Sequence, residues 1–398
     1  MTNEELTALE KASYNGDDKL ISDLINLLDG KKNFDDYKLK SSVRQFIQKE
    51  NYQILNALID KGLIETDLYE YDRFNGSVIE VLIHPGITDQ QALSAYLDWL
   101  PQLLNKIDDI DEEVSGVTLL QYALGIGAPL GSLQKLVACG ADIHQKDKYD
   151  QSLLYHACSV SPMNVKNAPE IVAWLLQNGV EVDAANVENR TPLCRAVSTG
   201  NISLLTLLLE NGADPSVQDW KGENAFYHAA VHLHNKDMVK LLLEYQTPDW
   251  HMLTKQNENL LNAFLRAMLN GNEDDFEILE LFLENGADPE MTSQYYSAEK
   301  SGLDWIAEKP FEVMERLLEK GYFRIDYQDN EGNTLLHKVC RFNVNYEEKA
   351  AKDLYRKVKL LLKAGTDPNV ENTADKKAVD YAMEDNLKTK TVELLLNQ

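Results

Sequence analysis

The sequence is poor in the residues that carry redox, covalent or metal chemistry. Its 398 residues include four cysteines, and no two have the Cys-x-x-Cys spacing of redox and metal motifs. It also lacks a Gly-rich phosphate loop, a nucleophile elbow and a His-Glu-x-x-His motif. These absences predict a protein that is not an enzyme and takes no cofactor. An enzyme with its chemistry in residues 1–115 remains the alternative.

The eight histidines are scattered along the chain. His232 and His234 are the nearest pair, but residues two apart point to different faces of a helix. The acidic residues Asp274 and Asp275 lack the Asp-x-Asp-x-Asp-Gly spacing of a calcium loop. We therefore predict no metal site.

Long apolar runs and basic charge are scarce as well. No run approaches the roughly 20 residues of a membrane-spanning helix, and the first ten residues lack the basic and apolar regions of a signal peptide. The formal net charge is −26, whereas a nucleic-acid-binding protein needs a basic face. We expect a cytoplasmic protein that binds no membrane, nucleic acid or small-molecule substrate.

What the chain does contain is an internal repeat. Residues 208–215 read Leu-Leu-Glu-Asn-Gly-Ala-Asp-Pro, and residues 283–289 repeat all but the first of these. A second pattern occurs at residues 188–197, 219–230 and 329–337, where an acidic or amide residue precedes a Thr or Asn and then an apolar pair. A repeat of fixed period predicts stacked units with an extended surface.

The two patterns together resemble the ankyrin-repeat signature, in which Asp-x-x-Gly-x-Thr-Pro-Leu-His-x-Ala opens a unit and Leu-Leu-x-x-Gly-Ala-Asp closes it. The spacings between Thr-equivalent positions run from 33 to 43 residues, at or above the family period of about 33. The resemblance implies an all-α solenoid of about eleven helix-turn-helix units with short β-hairpin fingers. We divide it into divergent, acidic N-terminal repeats and a cap at 1–115, well-matched repeats at 116–369 and a C-terminal capping repeat at 370–398.

Individual residues have predicted roles in this scheme. The Thr-equivalent residue caps the inner helix of each unit, and we assign this position to Thr191, to Thr334 and, in the weaker first units, to Thr7 and Ser41. Glycines such as Gly212 end the outer helix. Loop residues in place of the signature Gly are expected to adopt positive φ; they are Asp150, Asn189, Asn257 and Asp375. Buried packing is predicted for Cys158, Cys194 and Cys340.

Four units are longer than the rest. The extra residues fall between the inner and the outer helix, at 84–96, 159–169, 269–276 and 341–355. They are either tolerated insertions or a second contact surface. The last of them is rich in helix formers and is predicted to extend its outer helix backward.

Acidic charge is concentrated at the N-terminal end. Residues 1–115 hold 23 acidic and 11 basic side chains. The charge either serves solubility or steers a basic partner toward the protein. The candidate steering residues form the densest acidic patch; they are Asp108, Asp109, Asp111, Glu112 and Glu113.

Ankyrin-type units bind partners with finger tips and with the exposed side of the inner helices, the concave face. Exposed aromatic residues there are candidate binding hot spots. The predicted partner-binding residues are Tyr149, Glu188, Arg190, Trp220, Glu223, Tyr295, Tyr296, Glu331 and Phe342. Irregular acidic arrays of this kind resemble divergent bacterial members of the family, including immunity proteins that neutralise a toxin. The expected function is a protein-binding scaffold or inhibitor with a basic partner; a host-directed effector or a structural or regulatory subunit is the alternative.

Overall fold

Helices alternate with tight loops along the chain in the computed structural model. The structure describes residues 1–28, 30, 33–159, 167–268, 272–344 and 347–398. The chain divides into two compact units, Met1–Ala213 and Asp214–Gln398. Each unit consists of helix pairs, and in each pair an inner helix is followed by an outer helix.

The described residues of the first unit form six helix pairs. Inner helices contact inner helices, as α1 does α3 and α9 does α11, and outer helices contact outer helices, as α4 does α6. The helices are α1 (Asn3–Asn15), α2 (Asp18–Asn26), α3 (Asp36–Gln48), α4 (Tyr52–Asp60), α5 (Val78–Ile83), α6 (Gln90–Leu104), α7 (Leu119–Gly125), α8 (Leu130–Ala138), α9 (Leu153–Ser159), α10 (Ala168–Gln177), α11 (Pro192–Ser198) and α12 (Ile202–Glu210).

The described residues of the second unit form five more pairs, in agreement with the predicted total of about eleven. Its first inner helix, α13, is one short turn that continues into a π-helical turn at His228–His232. The helices are α13 (Ala225–Tyr227), α14 (Lys236–Tyr245), α15 (Leu260–Ala267), α16 (Glu273–Glu284), α17 (Gly302–Glu308), α18 (Phe311–Lys320), α19 (Leu335–Arg341), α20 (Glu348–Ala364), α21 (Ala378–Met383) and α22 (Thr389–Leu396).

Short hairpins, here called fingers, precede the inner helices. One contains two regular antiparallel strands, β1 (Thr292–Tyr295) and β2 (Ala298–Ser301). Others are held by single bridges, such as Lys146 with Ser152 and Gln328 with Thr334. In the described residues strand structure is confined to β1, β2 and isolated bridges, as the predicted all-α class requires.

Capping explains why the inner helices begin where they do. Thr191 Oγ1 accepts a hydrogen bond from Cys194 N at 3.2 Å, and Thr334 caps α19 in the same way. The loop residues assigned to positive φ adopt it, with φ values of 55° to 58° at Asp150, Asn189, Asn257 and Asp375. Buried positions are likewise confirmed for the cysteines predicted there; they are Cys158, Cys194 and Cys340.

The predicted caps of the first two repeats are wrong. Thr2 caps α1 and Asp35 caps α3, whereas Thr7 and Ser41 lie inside these helices. Asp can accept from the free N–H groups as well as Thr does. The assigned register is therefore displaced by five residues at α1 and by six at α3.

The four long units differ in where the extra residues go. Outer helices α6 and α20 have 15 and 17 residues, so much of the additional chain is helical, and the predicted backward extension of α20 is confirmed. Tyr96 belongs to α6 and hydrogen-bonds the Leu82 carbonyl at 2.5 Å. Residues 160–166, 269–271, 345 and 346 of the predicted insertions lie outside the described residues.

Candidate functional site

The first unit brings three predicted partner-binding residues together. Tyr149, Glu188 and Arg190 line one open groove of about 390 Å³ between two fingers and the inner helices α9 and α11 behind them, which contribute Tyr155 and Arg195. The two fingers are joined by a hydrogen bond from Val187 N to the Tyr149 carbonyl at 3.0 Å. The loop spacing thus places residues about 40 positions apart in one surface.

The charges in this groove are partly paired. Arg190 lies 3.4 Å from Glu188, and both side chains remain partly exposed. Arg195 Nε donates to Ser159 Oγ at 2.9 Å. His156 Nε2 is 3.1 Å from Asp147 Oδ2, but burial lowers the pKa of His156 and outweighs the opposing effect of that carboxylate. The groove therefore offers an aromatic ring with both an acidic and a basic group.

The second unit presents its exposed aromatic residues on two fingers that have one other finger between them. The side chain of Trp220 is 56% exposed, so it does not fold down on its neighbour, and Lys221 Nζ lies 5.5 Å from the ring centre. Lys255 N donates to the Lys221 carbonyl at 2.8 Å, and Gln294 N donates to the Asn257 carbonyl at 3.0 Å. These hydrogen bonds tie the Trp220 finger to the next finger, and that one to the β1–β2 finger.

Tyr295 and Tyr296 have different environments. Tyr296 is at the turn of the β1–β2 finger and is 87% exposed. Tyr295 packs edge to face on Trp305, with ring centres 4.8 Å apart. Lys300 lies over the Trp305 ring at 4.0 Å. Tyr296 is therefore the accessible ring, and Tyr295 mainly supports the finger.

The structure corrects the predicted position of Glu223. This residue is buried, and its Oε2 lies 2.9 Å from His232 Nε2 and 4.0 Å from His228 Nε2. Burial raises the pKa of Glu223, but the hydrogen bond and charge of His232 outweigh it and the net pKa is lowered. Its carboxylate therefore faces the inner helix that carries His228 and His232.

The histidine that lies next to His232 in the structure is His228, whereas the sequence analysis considered His234. His232 lies beside His228, with ring centres 5.2 Å apart. His234 points elsewhere and places Nδ1 2.8 Å from Asp275 Oδ1. A comparison of His232 with His234 alone missed the pair four residues apart.

Glu331 and Phe342 lie at separate places in the second unit. Glu331 is exposed on its finger, and its carboxylate accepts from Asn333 Nδ2 at 3.1 Å. Phe342 is half-buried at the end of α19 and lines a groove with Glu347 and Lys357 on the long-insertion side. The predicted concave position of Phe342 is therefore corrected, because α19 ends at Arg341 and the chain turns toward α20.

The acidic patch of the first unit is only partly available to a partner. Asp108, Asp109 and Glu113 are exposed, while Asp111 and Glu112 are half-buried. Both carboxylate oxygens of Asp111 accept from Asp142 N, at 3.0 and 3.1 Å. Asp111 therefore supports a loop, and steering would rest mainly on the three exposed members.

Sequence reasoning overlooked the lysines next to the exposed aromatic residues. Lys148 Nζ lies 5.2 Å from the Tyr149 ring centre, much as Lys221 lies over Trp220. The adjacent letters Lys-Tyr and Trp-Lys at two fingers could have indicated these cation–π pairs. They give the tips local positive charge on a strongly acidic chain.

The comparisons with known proteins agree with the helix-pair architecture. A family model described as ankyrin repeats (3 copies) matches residues 120–219 and 163–255, together about a third of the chain. Among the helices that the structure describes, none is long and apolar enough to cross a membrane.

Curated relatives match parts of the chain. It is 31% identical to the E3 ubiquitin-protein ligase KEG of Arabidopsis thaliana over 35% of this chain and 9% of that protein. It is 31% identical to a putative palmitoyltransferase, ZDHHC13, of Danio rerio over 29% of this chain and 18% of that protein. It therefore spans less than a fifth of the length of these two proteins.

Two further similarities extend over more of the chain. The putative ankyrin repeat protein L86 of Acanthamoeba polyphaga mimivirus is 25% identical over 53% of this chain and 38% of its own. The crystal structure of the ankyrin repeat domain of Bcl-3 is similar with a TM-score of 0.48 and 23% identity, over 62% of this chain and 97% of that one. The family match shows that residues 120–255 consist of ankyrin repeats, and capped helix pairs preceded by fingers occur in both units.

Proposed function

We propose that this protein is a non-enzymatic protein-binding scaffold or inhibitor that works in the cytoplasm. The observation that carries the proposal is the exposure of large aromatic side chains at finger tips whose backbones are hydrogen-bonded to neighbouring fingers. Tyr149 supplies such an anchor in the first unit, and Trp220 and Tyr296 supply two in the second. An exposed ring on a fixed loop loses little conformational entropy on binding, which suits it to be a hot spot.

The chemistry of the partner follows from the charge. A net charge of −26 favours a basic protein, because opposite charge accelerates association. Lys148 and Lys221 at the tips add local sites for acidic groups, so the partner we propose is basic overall with a mixed contact surface. Neutralisation of a basic toxin, as by an immunity protein, is the specific form of this proposal. A host-directed effector or an assembly subunit is the second candidate.

The partner is identified by affinity purification of the full chain from its native host. The Tyr149→Ala, Trp220→Ala double variant is then compared with wild type on the purified partner. Loss of the anchors should weaken binding by at least about 2 kcal/mol. Tyr37→Ala is the control, because Tyr37 is 80% exposed on α3 and belongs to no finger.

A different outcome would place the contact elsewhere. Equal affinity of the double variant and wild type would reject the finger tips. A loss on Phe342→Ala instead would favour the groove beside α20 and Lys357. Toxin inhibition assayed with the same variants separates an inhibitor from an assembly subunit, since only the inhibitor loses activity in parallel with affinity.

A further inference from the structure

Two histidines and a carboxylate converge at the base of the Trp220 finger. The ligand atoms of Glu223, His228 and His232 all lie within 4.8 Å of one another. Glu223 comes from the finger loop, whereas both histidines belong to the inner helix that follows. Asp219 brings a second carboxylate, with Oδ2 3.7 Å from His228 Nε2.

The local backbone explains why the two histidines are neighbours. His228–His232 is a π-helical turn, and Leu233 N donates to the His228 carbonyl at 3.1 Å across five residues. The corresponding inner helices α15, α17, α19 and α21 are α-helical. A single π turn inserted in an α-helix is a frequent feature of functional sites. His228 and His232 are four residues apart, so they lie on one side of the helix, and both face Glu223.

The distances fit a small metal ion. Zn²⁺ binds histidine nitrogen and carboxylate oxygen at about 2.0–2.2 Å, and tetrahedral ligand atoms are then about 3.3 Å apart. Glu223 Oε2 is 2.9 Å from His232 Nε2 and 4.0 Å from His228 Nε2. These two distances need to change by less than about 1 Å to reach that spacing, and the third separation, between the two histidine nitrogens, is at most 4.8 Å and needs to shrink by up to about 1.5 Å. His232 is exposed, so its ring has room to adjust.

We propose that Glu223, His228 and His232 bind one divalent transition-metal ion, with Zn²⁺ as the reference ion. Imidazole and carboxylate ligands suit Zn²⁺, and the negative charges of Glu223 and Asp219 balance the ion. Binding would tie the finger that carries Trp220 to its inner helix. The proposal is independent of the protein-binding role proposed above.

The test is isothermal titration of the full chain, freed of metal by a chelator, with ZnCl₂. Wild type should bind one Zn²⁺ per chain, and His232→Gln should lower the affinity at least tenfold. His251→Gln is the matched control, because His251 is exposed in the same unit and outside the cluster; its affinity should equal that of wild type. Visible absorption of bound Co²⁺ should show the intense bands of a tetrahedral site and lose them in His232→Gln.

Nonspecific binding to an acidic surface gives another pattern. Zn²⁺ uptake that is weak, exceeds one ion per chain and is equal in wild type and His232→Gln would overturn the proposal. So would equal affinity for Zn²⁺ and Mg²⁺, since Mg²⁺ prefers oxygen ligands. Circular dichroism of each variant checks that it is folded. His232 is the exposed member of the cluster, so its replacement tests the site even if the buried His228 cannot be replaced.

Discussion

Arg266 holds the buried carboxylate of Glu258 through two hydrogen bonds. Its Nε and Nη2 donate to Oε1 and Oε2, each at 2.8 Å, and only 5% of the Glu258 side chain is exposed. The interaction ties a finger to the inner helix α15 that follows it. A similar contact recurs in other repeats between residues nine apart; the pairs are Asp147 with His156, Glu223 with His232 and Asp329 with Lys338.

Replacement of Arg266 should destabilise the second unit. Arg266→Met would leave the buried Glu258 without its cation, and the expected loss in the free energy of unfolding is about 3 kcal/mol. This is the lower end of the usual range, because 34% of the Arg266 side chain is exposed and water screens part of the interaction. Urea unfolding followed by circular dichroism measures the change.

An exposed ion pair provides the control for this prediction. Lys352 lies 3.8 Å from Glu348, and 78% of each side chain is exposed. Such pairs contribute little, so Lys352→Met should leave the unfolding midpoint nearly unchanged. Equal effects of the two replacements would show that the buried Glu258–Arg266 pair contributes no more to stability than an exposed ion pair does.

His337 should make stability depend on pH below neutrality. Its Nδ1 accepts from Thr334 N at 3.1 Å and its Nε2 lies 3.1 Å from the Lys376 carbonyl, so the neutral ring with the proton on Nε2 fits. Burial lowers the pKa of His337 below 6.5. Between the lowered pKa and 6.5 the unfolded chain binds a proton that the folded chain does not. The stability that the neutral His337 ring provides is therefore fully present above about pH 6.5. It is lost as the pH falls from 6.5 through the lowered pKa of the folded protein.

The measurement compares unfolding free energies at pH 7.5 and 5.5. His337→Gln should be less stable at pH 7.5 but should lose less stability on acidification than wild type does. His251→Gln, which removes an exposed histidine of the same unit, serves as the reference. If the unfolding free energy of His337→Gln changes between pH 7.5 and 5.5 as much as that of wild type, His337 is excluded as a source of the pH dependence.

The register of the best-matched repeat predicts how much two substitutions lower the free energy of unfolding. Leu193 is fully buried, and Leu193→Ala should lower the free energy of unfolding by about 2–5 kcal/mol through lost contacts and a cavity. Thr191→Ala should lower it by about 1 kcal/mol through the lost cap. Repeat proteins can unfold in stages, so hydrogen exchange of amides in α11 is the suitable measurement. No change in Leu193→Ala would contradict the register.

The exposed acidic residues of the first unit should affect the rate of association. Replacement of Asp108, Asp109 and Glu113 by their amides should lower the on-rate for a basic partner more than it raises the off-rate. The effect should shrink as salt is added, because the screening length is about 8 Å at physiological ionic strength. Asp111 is left intact because it accepts from Asp142 N. An on-rate that does not change would make the patch a solubility feature.

The sequence predicted the features that depend on local chemistry. A Thr followed by Pro and Leu begins α11 because the hydroxyl caps the free N–H groups there. Asn189 and Asp150 adopt positive φ because these side chains tolerate that region. The repeat of such signals gave the number and type of units. The signal was weakest at α1 and α3, where Thr2 and Asp35 cap the helices without the rest of the signature.

The tertiary structure decided which side chains meet. Glu223 occupies a finger by sequence, yet its carboxylate turns inward because Asp219 Oδ1 accepts from Glu223 N at 3.1 Å and folds the loop back toward the inner helix. His228 and His232 share a side because residues four apart lie on one face of a helix, but only the fold shows that the Glu223 carboxylate meets them there. Phe342 was predicted on the concave face but lies on the long-insertion side, because α19 ends one residue before it. Helix ends and loop closure depend on packing between repeats, and so only the folded chain fixes these positions.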